Sequence, residues 1–222
     1  MEIKRLAARS LWLAAIVLLA AGLLATPVFA QLVLDDPLQG SSSGTRSGGT
    51  FANGGWQVTG VDDYIFWHLP YSVSHGAAEF YLKGVNPAQP EKNEHFHMYD
   101  YTWYNSDYGY APGYRDNPYK MFVRKSGVND GAKNNSCEVV YSTPSDFLET
   151  DSGVLSWNSS TNYKIRVEWG PEGANTRLTL YRDGASFFTQ AIAGNYTPAG
   201  HSVRIAKCRG SGEGAQINAV YS

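Results

Sequence analysis

The chain has 222 residues, of which 43% are hydrophobic, with 18 Lys and Arg against 20 Asp and Glu. That near balance, without a basic block or stripe, argues against a nucleic-acid partner and against a charged membrane surface. The two cysteines, Cys137 and Cys208, lie far apart and have no flanking His or Cys, which argues against a metal held between them. At the start of the chain Lys4, Arg5 and Arg9 precede an uncharged apolar run from Leu11 to Ala25, and Val28 and Ala30 occupy the positions a signal peptidase reads. Residues 1–30 therefore read as an export signal cleaved before Gln31, and residues 31–222 as one domain. An uncleaved anchor is the alternative, because the stretch just reaches the roughly 20 apolar residues of a spanning helix; Pro27 and the ending of the stretch favour cleavage. Removing three basic and one acidic residue leaves 15 Lys and Arg against 19 Asp and Glu in the exported part. The expected location is extracellular or periplasmic. In such an oxidising compartment Cys137 and Cys208 are expected to be bridged, the alternative being two separate buried thiols.

After the signal, apolar residues recur at period two in short runs between clusters of Gly, Pro, Asn and Asp, the pattern of an all-β chain. Strands are predicted over Leu32–Leu34, Thr50–Thr59, Tyr64–Leu69, Gly76–Lys83, Glu94–Trp103 and Lys120–Lys125. Further on they are predicted over Cys137–Tyr141, Tyr163–Trp169, Arg177–Arg182, Ala185–Ala193, Ser202–Cys208 and Gly214–Tyr221. Asp183-Gly184 is the strongest hairpin signal. Gly40–Gly49, rich in Ser and Gly, reads as a loop, and Asn105–Pro118 is the longest irregular stretch. So many short strands must pair or cover their edges, so the expected architecture is an antiparallel two-sheet sandwich or a barrel.

Tyr163–Gly184 (YKIRVEWGPEGANTRLTLYRDG) carries a strand ending in Trp169, a polar turn and a strand closing on Asp183-Gly184. With His201–Cys208, Ala215–Ser222 and Gly54–Pro70, this resembles the concanavalin A-like lectin and glucanase superfamily, which includes laminin-G-like domains. The resemblance implies a jelly-roll sandwich and a carbohydrate partner. It leaves open a lectin-like binder, a glycan-cleaving enzyme, or an adhesion or envelope module with a protein partner, because fold alone does not choose chemistry. Hydrolases of the endoglucanase kind carry two Glu flanking an Asp at alternate strand positions. The nearest string here, Glu149-Thr150-Asp151-Ser152-Gly153, lacks the second Glu, so a retaining pair is not expected. The resemblance also implies a structural calcium near the first and last strands. Asp36 and Asn218 are the matching residues, although Asp is usual where Asn218 stands. The alternative is that Asp36 opens a turn before Pro37.

The candidate site is Glu94–Tyr104 (EHFHMYDYTWY). Strand alternation turns Phe96, Met98 and Asp100 one way and His95, His97, Tyr99, Tyr101 and Trp103 the other. Such a row suits stacking on sugar rings and hydrogen bonding to hydroxyls, and it suits a cross-strand aromatic ladder almost equally. Two imidazoles on one side could ligate a metal, but no third ligand stands at recognisable spacing. In Lys120–Lys125 the alternation sets Lys120 and Arg124 on the same open face, and Arg166 and Glu168 repeat the pattern on a later strand. For a lyase of uronate-bearing glycans, which the resemblance admits, His97 or Tyr99 would be the base and Arg124 the partner of the substrate carboxylate.

Overall fold

Alternation decides the architecture strand by strand. In the segment 163–169, Tyr163, Ile165, Val167 and Trp169 are buried while Lys164, Arg166 and Glu168 between them are half-exposed. The computed structural model describes residues 31–71, 73–100, 120–142, 147–193, 201–207 and 214–222. Among these, β-strands are the only regular elements apart from a short 3-10 turn at Gly131–Lys133. The first strands are β1 (Thr45–Ser47), β2 (Thr50–Ala52), β3 (Gly55–Gln57), β4 (Tyr64–His68) and β5 (Gly76–Lys83). They are followed by β6 (Asn93–Asp100), β7 (Lys120–Lys125), β8 (Ser136–Ser142), β9 (Phe147–Val154) and β10 (Tyr163–Glu172). The last are β11 (Asn175–Arg182), β12 (Ala185–Ala193), β13 (His201–Ala206), β14 (Gly214–Ala215) and β15 (Val220–Tyr221).

The strands form two sheets. One runs β1-β4-β13-β6-β7-β8-β9, with β14 parallel to β6; the other runs β12-β11-β10-β5-β15-β3-β2. All pairings other than that of β14 are antiparallel. Aromatic contacts fix which faces meet: Phe80 of β5 stacks on Phe96 of β6 with centroids 6.1 Å apart, and Tyr221 of β15 touches Phe80 at 5.9 Å. Ile65, Trp67, Phe96, Met98, Val123 and Ile205 of the first sheet, and Leu82, Val167, Leu178 and Leu180 of the second, are buried there. Each such apolar side chain contributes about 1.5–3 kcal/mol when fully buried. The result is the antiparallel jelly-roll sandwich expected from the sequence, two sheets packed face to face. Leu34–Ser222 forms one compact unit.

The strand boundaries depart from expectation in five places, the first being Gly214–Tyr221, which a turn at Ile217-Asn218 divides into β14 of one sheet and β15 of the other. Residues 50–59 fold as a hairpin, β2–β3, because Asn53 and Gly54 take left-handed φ values of 56° and 83° and close a tight two-residue turn. β1 lies within the Ser/Gly-rich stretch read as a loop, and Leu32–Leu34 forms no strand. β9 arises from a segment too polar to read as a strand, and it sits at the sheet edge beside β8 with a register shift between Ser136 and Glu138. Polar, bulged edge strands resist pairing with other chains. Cys137 stands as a free, buried thiol, and Cys208, its expected partner in a bridge, lies outside the described residues. Burial, and then the neighbouring Glu138 charge, push the Cys137 thiol up to about 12.

Candidate functional site

The site begins with a bulge in β6. Glu94 is opposite Arg124 of β7 and Phe96 is opposite Val123, so His95 is the extra residue. The bulge breaks the expected alternation. His95 turns toward the second sheet, where its Nδ1 lies 2.9 Å from the Tyr221 hydroxyl, and Phe96 also points inward against Phe80. His97 resumes on the opposite face, across the ladder from Arg204 of β13. His95 and His97 therefore do not share a face, which corrects the expected row and removes the pair as metal ligands. Burial, and then the nearby Lys125 ammonium, hold the His95 imidazole down to about 3, so it is neutral at ordinary pH. Lys125 is itself buried and held down to about 8 by burial, against the opposing pull of Asp130; its Nζ donates to the Ser126 carbonyl at 2.9 Å.

On the outward face of the first sheet, residues directly opposite on neighbouring strands share a side. Arg204 is opposite Phe66 on one flank and His97 on the other. Its guanidinium carbon sits 3.5 Å from the centre of the Tyr64 ring. Phe66 and His68 continue the same face of β4, with rings edge to face at 4.6 Å, while Ile65 and Trp67 between them are buried in the core. Arg204 is only 6% exposed, its Nε has no hydrogen-bond partner, and among the described residues no carboxylate pairs with it. The structure thus sets an aromatic row along β4, flanked by a buried cation and an imidazole. The signal was present in Tyr64-Ile65-Phe66-Trp67-His68, whose alternation passes for an ordinary half-buried strand.

Two strands away the same face carries a different arrangement. Arg124, 3% exposed, donates from Nε to Glu138 Oε2 at 2.5 Å and pairs through Nη2 with Glu149 Oε1 at 2.8 Å. Lys92 reaches Glu138 at 3.3 Å and Glu149 at 3.6 Å, and Lys133 reaches Glu149 at 3.4 Å. Burial raises the Glu149 carboxyl, but Arg124, then Lys92 and Lys133, outweigh it and hold the group below the usual carboxylate range. Arg124 thus satisfies two of the protein's own acids. Glu149 entered the sequence reading only within the incomplete hydrolase-like string and Glu138 not at all, since only the β7-β8-β9 register brings them to Arg124.

The remaining expected residues scatter. Tyr99 stands opposite Ser202 on β6 and Lys120 opposite Ser142 on β7; Tyr101 and Trp103 lie outside the described residues. Arg166 and Glu168 face outward from the other sheet, where Lys164 pairs with Glu79 at 2.8 Å and Arg166 lies 3.6 Å from Glu168, so Arg166 and Arg124 do not converge. Asp36 Oδ1 accepts the Leu38 amide at 3.2 Å, the turn over Pro37 anticipated as an alternative. Its Oδ2 accepts from Ser42 and Ser43 and from the Trp67 indole at 2.9 Å. Burial raises this carboxyl, and the bonds from Ser42, Trp67 and Ser43 more than offset it, leaving it below its ordinary value. Asn218 accepts from Gln57 of the second sheet at 3.4 Å. Among the described residues no three His, Cys, Asp or Glu side chains gather as a metal site.

No protein-family model matches the chain, and no curated protein matches it. Among solved structures it is similar in fold to a β-glucanase from Bacillus licheniformis, at 13% identity over 84% of this chain and 92% of that one, with a TM-score of 0.49. It is similar also to a carbohydrate-binding module from Bacillus subtilis, at 14% identity over 83% and 93%, with a TM-score of 0.45. A third is a lectin from Griffonia simplicifolia, at 12% identity over 80% and 89%, with a TM-score of 0.45.

Proposed function

We propose that this protein is an exported carbohydrate-binding protein that takes an acidic polysaccharide on the outward face of its first sheet. The carrying observation is Arg204, a buried guanidinium above the Tyr64 ring with no carboxylate of its own among the described residues. A charge buried without a counter-charge costs on the order of several kcal/mol, which a ligand carboxylate can offset. The planar guanidinium fits a carboxylate through two parallel hydrogen bonds, and a uronate sugar supplies that group beside its ring hydroxyls. The rings of Tyr64 and Phe66 offer flat surface to the C–H faces of sugars, and His97, itself buried, stands across the ladder from Arg204. Tyr99, Tyr101 and Trp103 extend the reading along the β6 segment of the sequence. Export rests on residues 1–30 of the sequence.

The neighbouring positions of His97 and Arg204 favour a second reading, a lyase of the same polymers. In that chemistry the guanidinium neutralises the uronate carboxylate while a base takes the proton beside it, and the leaving sugar oxygen departs as a double bond forms. One experiment separates the two. The purified protein is run in affinity gels containing alginate, polygalacturonate or neutral dextran, and ultraviolet absorbance is followed in parallel. Retardation by an acidic polymer that stays intact, weakened tenfold or more by Arg204→Met, is the expected result. Growing absorbance moves the reading to the lyase. Equal retardation of wild type and a normally folded Arg204→Met protein would falsify the assignment of this face.

A further inference from the structure

An open cleft lies at the other sheet, and its chemistry differs from that of the Arg204 face. Its volume is about 510 Å³, within the range of ligand sites. It is lined by four side-chain amides (Asn53, Gln57, Asn86 and Asn218) and by Lys83, Ser159 and Ile217, with no carboxylate among its lining residues. Asn53 comes from the β2–β3 turn, Lys83 from the end of β5, and Ile217 and Asn218 from the turn before β15, so three elements of one sheet border it, with these side chains exposed.

The amides are oriented before any ligand arrives. Asn53 Nδ2 donates to Gln57 Oε1 at 2.8 Å, and Gln57 Nε2 donates to Asn218 Oδ1 at 3.4 Å. That chain leaves the Asn53 carbonyl oxygen and the Asn218 amino group as its two open ends. The Asn86 carbonyl oxygen accepts the Ala88 amide at 2.9 Å, which likewise leaves its amino group outward. Gly84 makes the close approach possible, since a Cβ there would meet the Asn218 carbonyl oxygen at 2.4 Å. Asn218 itself holds a left-handed φ of 71° in the turn before β15. Lys83 makes no ion pair among the described residues, and Ile217 is 47% exposed at the rim.

We propose that this cleft is a second glycan site, taking a neutral hexose unit with adjacent hydroxyls. Each hydroxyl is both donor and acceptor, and amide groups provide both in fixed relation, while Ile217 and the Val220 floor accept the ring's C–H face. No aromatic ring lines the cleft to stack a planar base, and no acid is present to pair a cationic group. A lone ammonium, Lys83, adds a donor without the geometry that selects a carboxylate. The site stands on the second sheet and does not depend on Arg204.

The test follows the side-chain amide signals of the full exported protein by nuclear magnetic resonance. It is titrated with neutral hexasaccharides of glucose, galactose and mannose, and separately with a uronate hexasaccharide. The expected result is saturable shifts at the Asn53, Asn86 and Asn218 amides with at least one neutral hexasaccharide, weakened tenfold or more by Asn86→Ala with Asn218→Gly. Glycine keeps the left-handed backbone at that position. The same shifts are expected to persist in Arg204→Met, which loses only the uronate response. The proposal is overturned if no neutral hexasaccharide moves those amides, if the shifts survive the double replacement, or if they vanish in Arg204→Met. Loss of the uronate response in every form would sink the first-sheet reading and leave this one standing.

Discussion

Arg124 and Arg204 are both buried on one face of one sheet, separated by the single strand β6, and they do opposite things. Arg124 is held between Glu138 and Glu149, with Lys92 and Lys133 completing a network of fixed charges. Among the described residues, Arg204 has an aromatic ring in place of a carboxylate. A buried cation whose charge is already matched serves the fold. One whose charge is unmatched is a cost to the fold that a bound anion can relieve. Residue type and burial are the same in the two cases, so the difference lies wholly in what the neighbouring strands bring alongside.

The largest effect expected from this contrast is on stability. Glu138→Gln leaves Arg124 and Lys92 short of a buried counter-charge and should cost about 3–5 kcal/mol, read as a lower urea midpoint at unchanged slope. Arg204→Met keeps an apolar stem over Tyr64 and removes the unmatched charge, so its midpoint should hold or rise, the relieved burial cost being set against a lost cation–π contact of about 2 kcal/mol. Equal losses in the two variants would break the comparison.

An acid titration of stability sharpens it. His95 has a folded value of about 3 against 6.5 unfolded, so its contribution is complete above pH 6.5. As pH falls below that, the unfolded chain takes a proton that the folded chain refuses, and stability declines by about 1.4 kcal/mol per pH unit. Between pH 6.5 and 4.5 the loss should be about 2–3 kcal/mol, and His95→Gln should remove it. Glu149 is held below its ordinary value, so its contribution is present above that value and is lost only as pH falls through the lower folded one. Glu149→Gln should flatten that lower limb alone. Arg204→Met should alter neither limb, and a changed upper limb in that variant would tie Arg204 to the core cluster.

The smallest effect concerns position 137, next to Glu138 on the same strand but on its inward side. With the thiol pushed up to about 12, a disulfide-exchange reagent at pH 8 should leave Cys137 unreacted in the folded protein and modify it promptly in denaturant. Cys137→Val should shift stability by less than about 1.5 kcal/mol, because the volume change is small. Protection from the reagent that persists in denaturant without a reductant would mean a bridge after all.

The amino-acid sequence by itself determined the all-β class, the hairpin at Asp183-Gly184 and most of the strands, because period-two burial is a local property of an extended chain. It also singled out the β6 segment as a candidate site. Only the tertiary structure decided which side chains work together. One inserted residue in β6 sends His95 into the core between the sheets and leaves His97, also buried, on the opposite face, and a bulge has no signature in an apolar–polar pattern that reads equally well without it. The aromatic row lies on β4, and the acids that occupy Arg124 come from β8 and β9. Those partners are set by the order and register of strands distant in sequence, which the local alternation of residues does not encode.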